Sequence, residues 1–319
     1  MSLLRSERRL RRRRQFLVAS AGLVVGAAAA RRIKGVSRAL ASVVGVSLSP
    51  AAPLAFLSTD TVAQGEAFSL HVQTFFESSG TATFNDVQFP LIAAGEYLVG
   101  MLAAGQSVTD EVEIDPGDYE VVVDAVDSNG APLTFTLPIT VSMTPFPVDE
   151  IQLDAATASL LSPATVQQEL TKLGQIYGTA KGPQLWKGLF RVPVTGPITT
   201  EFGQARSYNG GPVSGHHSGV DLAADLGTPV GAAASGRVSF TGALPERGNF
   251  ITIDHGMGVY TGYAHLSQIN TAVGASVSPG DIIGMVGSTG LSTGPHLHWE
   301  CAVNGVHVSA MRWTRTLLP

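Results

Sequence analysis

Two short runs in the last third of the chain carry side chains able to hold a metal ion and move a proton. They are His217-Ser218-Gly219-Val220-Asp221 and His296-Leu297-His298, the second preceded by Gly294-Pro295. Imidazole nitrogen and carboxylate oxygen are ligands that zinc prefers, at about 2.0–2.2 Å, and catalytic zinc sites commonly keep three protein ligands beside a water. On a strand, residues i and i+2 share a face. His296 and His298 therefore point into one groove, where one can bind metal while the other acts on the water or the substrate. Several neighbours read differently. His216 points to the opposite side from His217 and is an exposed bystander, His255 and His307 sit at turns and are structural or solvated rather than catalytic, and Asp225 is solvated in a loop. Glu300 shares the face of His298 and is placed to hydrogen-bond an imidazole from behind. Cys301 points away from that face as a buried thiol. Arg206, Tyr208 and Asn209 read as structural residues of a groove wall, with approach to substrate as the alternative for Tyr208.

The elements that must position these residues are mostly strands. Gly-punctuated, β-branched segments run from Trp186 to the end, among them Gly236–Phe240, Phe250–Ile253 and Ile282–Val286. Residues 50–145 read as a second β domain. Ala67–Phe76, Asp118–Asp124 and Leu133–Val141 are rich in β-branched and aromatic residues, with Asp127-Ser128-Asn129-Gly130 as a hairpin turn. Several strands in so short a stretch predict an immunoglobulin-like sandwich, and Pro138 predicts an edge or a bulge there. Between the two, residues 146–185 form a linker with one helix. Ser162-Pro163 supplies an N-cap and a proline at the first helical position. Val166, Leu170, Leu173 and Ile176 then recur at helical spacing up to about Tyr177, a stripe that packs on a neighbouring domain.

Composition narrows the function classes. The chain has 319 residues with 44% hydrophobic and 14% charged, ample for buried cores. Its single cysteine excludes an internal disulfide framework and a Cys-clustered zinc site. The net charge of −5 hides an asymmetry: residues 1–38 hold 11 of the 20 basic side chains and one acid, Glu7. The remaining 281 residues carry 9 basic and 24 acidic side chains, with no Lys or Arg from Ala39 to Thr171. The folded part therefore builds no phosphate-neutralising surface, and nucleic-acid binding is disfavoured. Residues 1–49 carry a basic start, the apolar stretch Phe16–Ala30 and a small-residue end, the pattern of an export signal. Arg13-Arg14-Gln15-Phe16-Leu17 also resembles the twin-arginine export motif. The alternative is a segment that stays as a membrane anchor. Either way the expected location is outside the cytoplasm, in the periplasm or the extracellular cell envelope.

The wider text around the two histidine runs resembles one family. His217–Val230, Gly236-Arg237-Val238, Gly248-Asn249, Ile253–Gly256, Tyr263-Ala264-His265-Leu266, Val277–Gly280 and Gly287–Glu300 are similar to the M23 metallopeptidases, the lysostaphin- and LytM-type zinc endopeptidases. The resemblance runs from about Trp186 to Trp313 and marks 186–319 as the peptidase domain. It implies a mainly β protein whose C-terminal domain is a LytM-type antiparallel β peptidase with a sheet flooring a narrow groove. It implies one zinc held by His217, Asp221 and His298, with His265 and His296 as the catalytic histidines. All five positions carry the expected residue type. The implied activity is hydrolysis of peptide cross-links in bacterial peptidoglycan, with stem peptides or cross-bridges as the substrate and a zinc-activated water as the attacking group. His296 would be the general base and His265 would orient the water or steady the developing oxyanion, with those roles exchangeable. Two other readings fit the same domain. One is a non-catalytic wall-binding or amidase-regulating module, and the other is a peptidase acting on secreted proteins.

Overall fold

The computed structural model describes residues 54–73, 79–109, 113–126, 131–178 and 182–319. The predicted export segment 1–49, the turn 127–130 and the end of the 67–76 strand lie outside them. The described chain is mainly β, as its β-branched, Gly-punctuated sequence requires, and belongs to one compact unit, Ala52–Pro319.

The first region is a two-sheet sandwich. Ala55–Leu57, Glu66–Gln73 and Tyr97–Ala104 pair on one side; Ser79–Phe84, Gly117–Val126, Pro132–Ser142 and Thr61–Ala63 pair on the other. The strand Val87–Ala94 passes from one sheet to the other. Its first half pairs with Ser79–Phe84 and its last three residues with Tyr97–Ala104. Phe68 and Phe84 meet edge to face across the interior, ring centroids 5.3 Å apart. Pro138 pairs with Glu120 on one side, while Thr61–Ala63 pairs only with Thr140–Ser142. The missing N–H at Pro138 thus falls where no described strand needs it, the open edge that a strand proline requires.

The second region is built on an antiparallel sheet in the order Ile198–Thr200, Gly219–Ala223, His296–Val303, Val259–Leu266, Gly248–Asp254, Gly236–Leu244, Ser276–Val277. Val306–Val308 folds back on His296–Val303, and Gln106–Ser107 from the sandwich adds to its outer edge, pairing with His307 and Val306. The central strands are buried on both faces. On one face Leu297, Trp299, Cys301 and Val303 join Val259 and Tyr263 in the main apolar core. On the other lie His298, Glu300 and Ala302.

A helix covers part of that second face. It spans Pro163–Ile176, with Ser162 accepting from the Thr165 N–H at its start and proline at the first position. Leu173 is fully buried and packs with Tyr177, Phe250, Tyr260, Ala264 and Ala302, while Leu170 and Ile176 flank them. The linker also contains elements beyond the one expected helix. Val148–Ile151 is a strand parallel to Ala205–Tyr208, and a short helix at Ala155–Ala158 is capped by Asp154. The strand contributes Asp149, Glu150 and Ile151 to the lining of the groove.

Candidate metal and proton-transfer site

Antiparallel pairing sets Asp221 directly opposite His298, and Ala223 opposite His296. Opposed residues project to the same side, so the two runs found in the sequence meet on one face. His217 reaches the same point from the connection just before Gly219–Ala223. The glycine between them is needed: a Cβ at Gly219 would lie 2.9 Å from the His298 ring and 2.5 Å from the Trp299 carbonyl. His217 Nε2 lies 3.0 Å from Asp221 Oδ1 and 2.8 Å from His298 Nδ1, and His298 Nδ1 is 2.9 Å from Asp221 Oδ1.

His265 arrives by a different route. Regular alternation along Val259–Leu266 would aim it at the apolar core with Thr261 and Tyr263. Instead the register with Gly248–Asp254 shifts between Asn249 and Ile251, and His265 adopts φ +60°. An extra residue in one strand re-aims a side chain in this way. Its ring then stands 4.7 Å from His296 and 5.8 Å from His298, centroid to centroid. His296 Nε2 is 3.7 Å from Asp221 Oδ1.

The outer nitrogen of each ring fixes its tautomer, because a carbonyl oxygen only accepts. His217 Nδ1–H donates to the Glu201 carbonyl at 2.9 Å, His265 Nδ1–H to Thr289 at 2.8 Å and His296 Nδ1–H to Gly294 at 2.8 Å. His298 turns its Nε2 to Glu300 Oε2 at 3.2 Å. In the neutral rings, the lone pairs of His217 Nε2 and His298 Nδ1 therefore converge with Asp221 Oδ1. Three electron-rich atoms this close repel one another unless a cation or a shared proton sits among them. Their separations approach the edge of a tetrahedral zinc site, about 3.3 Å for bonds near 2.0 Å. Among the described residues, these three are the one cluster of His, Cys, Asp or Glu whose ligand atoms lie together in this way. The donor set, two imidazoles and a carboxylate with outer partners, fits zinc.

Electrostatics favours neutral imidazoles at two of the positions. Burial, aided by the Arg206 charge, depresses His217 to about 4. Burial and the neighbouring His296 and His298 hold His265 well below the usual histidine range. Burial opposes ionisation of Asp221, but His217 and His298 prevail and keep its carboxyl well below the ordinary range. Burial likewise opposes charge on His298, and hydrogen bonds to Asp221 and Glu300 raise it above its ordinary value.

The cluster opens into a groove of about 740 Å³, lined on one side by Asp149–Leu153 and on the other by Leu291–His296. Arg206 lies in it, Nη2 3.5 Å from Asp221 Oδ2. Asn209 supports the wall: its Oδ1 accepts from the Leu153 N–H at 2.8 Å. The other histidines go elsewhere. His216 lies 3.7 Å from Glu113 at the groove edge. His255 is buried between the Ser235 carbonyl and the Thr261 hydroxyl, both at 2.8 Å. His307 is buried 3.7 Å from Glu300. Cys301 faces the core, where burial raises its thiol. Sequence reasoning missed Arg247, Glu169 and Tyr177, which stand behind Glu300, and no spacing in the sequence signals them.

A sheet-floored groove with a His-Asp-His cluster and two further inward histidines defines the class, a metallopeptidase domain. The particular family follows from comparison. Residues 215–310 match peptidase family M23, so this part of the chain is an M23 domain. The chain is 52% identical over 93 residues to the DD-carboxypeptidase/endopeptidase Mpg of Neisseria meningitidis, covering 29% of this chain and 21% of that protein. It is 39% identical over 141 residues to the peptidoglycan DD-endopeptidase ShyA of Vibrio cholerae, covering 44% and 33%. The chain thus spans between a fifth and a third of these relatives' lengths. A crystal structure of an M23-type protein from Pseudomonas aeruginosa shares the fold over 80% of this chain and 96% of that one, at TM-score 0.55 and 23% identity.

Proposed function

We propose that this protein is an exported zinc endopeptidase that cleaves peptide cross-links of bacterial peptidoglycan. The observation that carries the reading is the convergence of three ligand atoms, His217 Nε2, Asp221 Oδ1 and His298 Nδ1, beside two more imidazoles whose tautomers are fixed from outside. Relatives named as peptidoglycan DD-endopeptidases support the substrate class. The basic and apolar pattern of residues 1–49 supports export.

In this reading His217, Asp221 and His298 hold the ion. Zinc held by them would supply Lewis acidity, polarising the scissile carbonyl and making water a stronger nucleophile near neutral pH. The chain's own residues do the rest. His296, with Nδ1–H tied to Gly294, turns its Nε2 to the groove as the group that accepts the proton of the attacking water and returns it to the leaving amine. His265, held neutral by burial, presents its Nε2 beside His296 to orient that water or to steady the developing oxyanion. Asp221 remains ionised throughout, as a ligand must. Retention of all five side chains counts against a purely wall-binding module.

The test is digestion of purified peptidoglycan sacculi by the zinc-loaded protein, with the soluble fragments read by mass spectrometry. The expected result is new amino and carboxyl ends at one cross-link peptide bond. Absence of release, together with cleavage of a secreted protein substrate, would contradict the reading.

A further inference from the structure

Behind the site lies a buried ionic chain that reaches the linker helix. Glu300, fully buried, receives the His298 Nε2–H and the Ser218 hydroxyl at 3.2 Å each. It also receives Arg247, Nε at 3.0 Å to Oε1 and Nη2 at 2.9 Å to Oε2, and the Tyr177 hydroxyl. A glycine makes room for this, since a Cβ at Gly262 would lie 2.5 Å from the Tyr177 oxygen. The third donor of Arg247, Nη1, points the other way, to Glu169 Oε1 at 2.9 Å. Glu169 is 1% exposed and lies in the middle of the Pro163–Ile176 helix.

The same carboxylate also grips the backbone. Glu169 Oε2 accepts from the Glu246 N–H at 2.6 Å, and Oε1 from the Arg247 N–H at 3.3 Å. The carbonyls of those two residues hold the proton-transfer side of the groove. The Arg247 carbonyl accepts from the His265 N–H at 2.8 Å, and the Glu246 carbonyl from the Leu291 N–H at 2.7 Å. Leu291 follows the Thr289–Gly290 turn, whose Thr289 carbonyl fixes the His265 tautomer. His265 sits at positive φ, a conformation a non-glycine residue keeps only when its surroundings impose it.

We propose that Glu169 is a positioning residue for the peptidase site, acting through Arg247 on both halves at once. Through the Arg247 guanidinium and Glu300 it orients the ligand His298. Through the Glu246–Arg247 backbone it holds His265 and the turn that fixes the His265 tautomer. Outer partners of metal ligands act in this way on affinity and geometry. The linker helix is accordingly part of the working site, since it carries the carboxylate that meets Arg247.

The proposal rests on the zinc reading above, and the test separates the two. In the full chain, Glu169→Gln is compared with wild type and with Leu173→Ala, which loosens the same helix without touching Arg247. Zinc affinity is measured by competition with a chromophoric chelator, the cobalt(II) d–d spectrum reports ligand geometry, and melting of the metal-free protein reports stability. The expected result for Glu169→Gln is an apparent zinc Kd raised about 10- to 100-fold, an altered cobalt spectrum and a lowered kcat at unchanged KM. Leu173→Ala should lower the melting temperature with a wild-type zinc Kd. Should Glu169→Gln fail to fold, Glu169→Asp, which keeps the charge on a shorter arm, is read the same way with a smaller shift. A wild-type Kd and spectrum in the Glu169 variant would overturn the proposal, as would an equal shift in Leu173→Ala. A wild-type chain that binds no zinc would overturn the functional reading and this proposal with it.

Discussion

The His296–Val303 strand is buried on both faces, and the faces are built on different principles. One side presents Leu297, Trp299, Cys301 and Val303 to an apolar core. The other presents His298 and Glu300, polar groups just as hidden, whose every outer atom needs a partner. Apolar packing is stabilised by the area it removes from water, whatever the partner. A buried polar face is tolerated only when it is satisfied, and here satisfaction of three converging lone pairs calls for a cation. The core face fixes where the strand lies; the site face uses that placement for chemistry at a cost in stability.

Substitutions on the two faces should therefore separate function from stability. The largest effect belongs to the ligands. His298→Ala, Asp221→Ala and His217→Ala should each abolish zinc retention, read by elemental analysis, and lower peptidase turnover by at least about 10³-fold. The metal-free melting temperature should change less than for a core-face substitution, because none of the three packs in the apolar core. A core-face substitution should do the reverse. Trp299→Ala removes a fully buried indole and is expected to destabilise by about 3–5 kcal/mol, measured by urea denaturation, while the folded fraction still binds zinc. Loss of zinc affinity in the folded Trp299 variant would erase the distinction between the faces.

A smaller effect comes from pH. His255 is buried on the core side, and burial lowers it to about 4 from an ordinary 6.5. Between those values the unfolded chain binds the proton and the folded chain does not, so stability rises with pH. This contribution is present above about pH 6.5 and is lost as pH falls through 4, on the order of 3 kcal/mol. Melting of the metal-free protein from pH 7 to pH 4 checks the sign. His255→Gln should show a flatter profile, and an unchanged slope would remove His255 as its source.

What could be read from the sequence follows from how local each signal is. The two-residue period placed His296 and His298 on one face, and the Ser162-Pro163 start with its apolar stripe marked the helix, because both are properties of neighbouring residues. His265 was different. Val259–Leu266 is buried throughout and shows no alternation, so nothing in its pattern announces the register shift that turns His265 towards the groove. Only the family resemblance singled it out. The groups that set the histidine tautomers are the backbone carbonyls of Glu201, Thr289 and Gly294. A carbonyl is common to every residue and leaves no mark in the sequence. Glu169 and Arg247 stand 78 positions apart, and their pairing exists only once the helix has docked. The strand exchanged between the sandwich and the peptidase sheet, Gln106–Ser107 on Val306–Val308, is hidden for the same reason.

The central claim is that one face of one strand divides its labour, His298 holding the ion and His296 moving the proton. Parallel measurement of zinc content and peptidoglycan turnover in His298→Ala and His296→Ala tests it directly. The account predicts that the first loses both, and that the second keeps one zinc per chain while its turnover falls by about 10²- to 10⁴-fold. A His296→Ala protein that releases peptidoglycan fragments at near wild-type rate would contradict it.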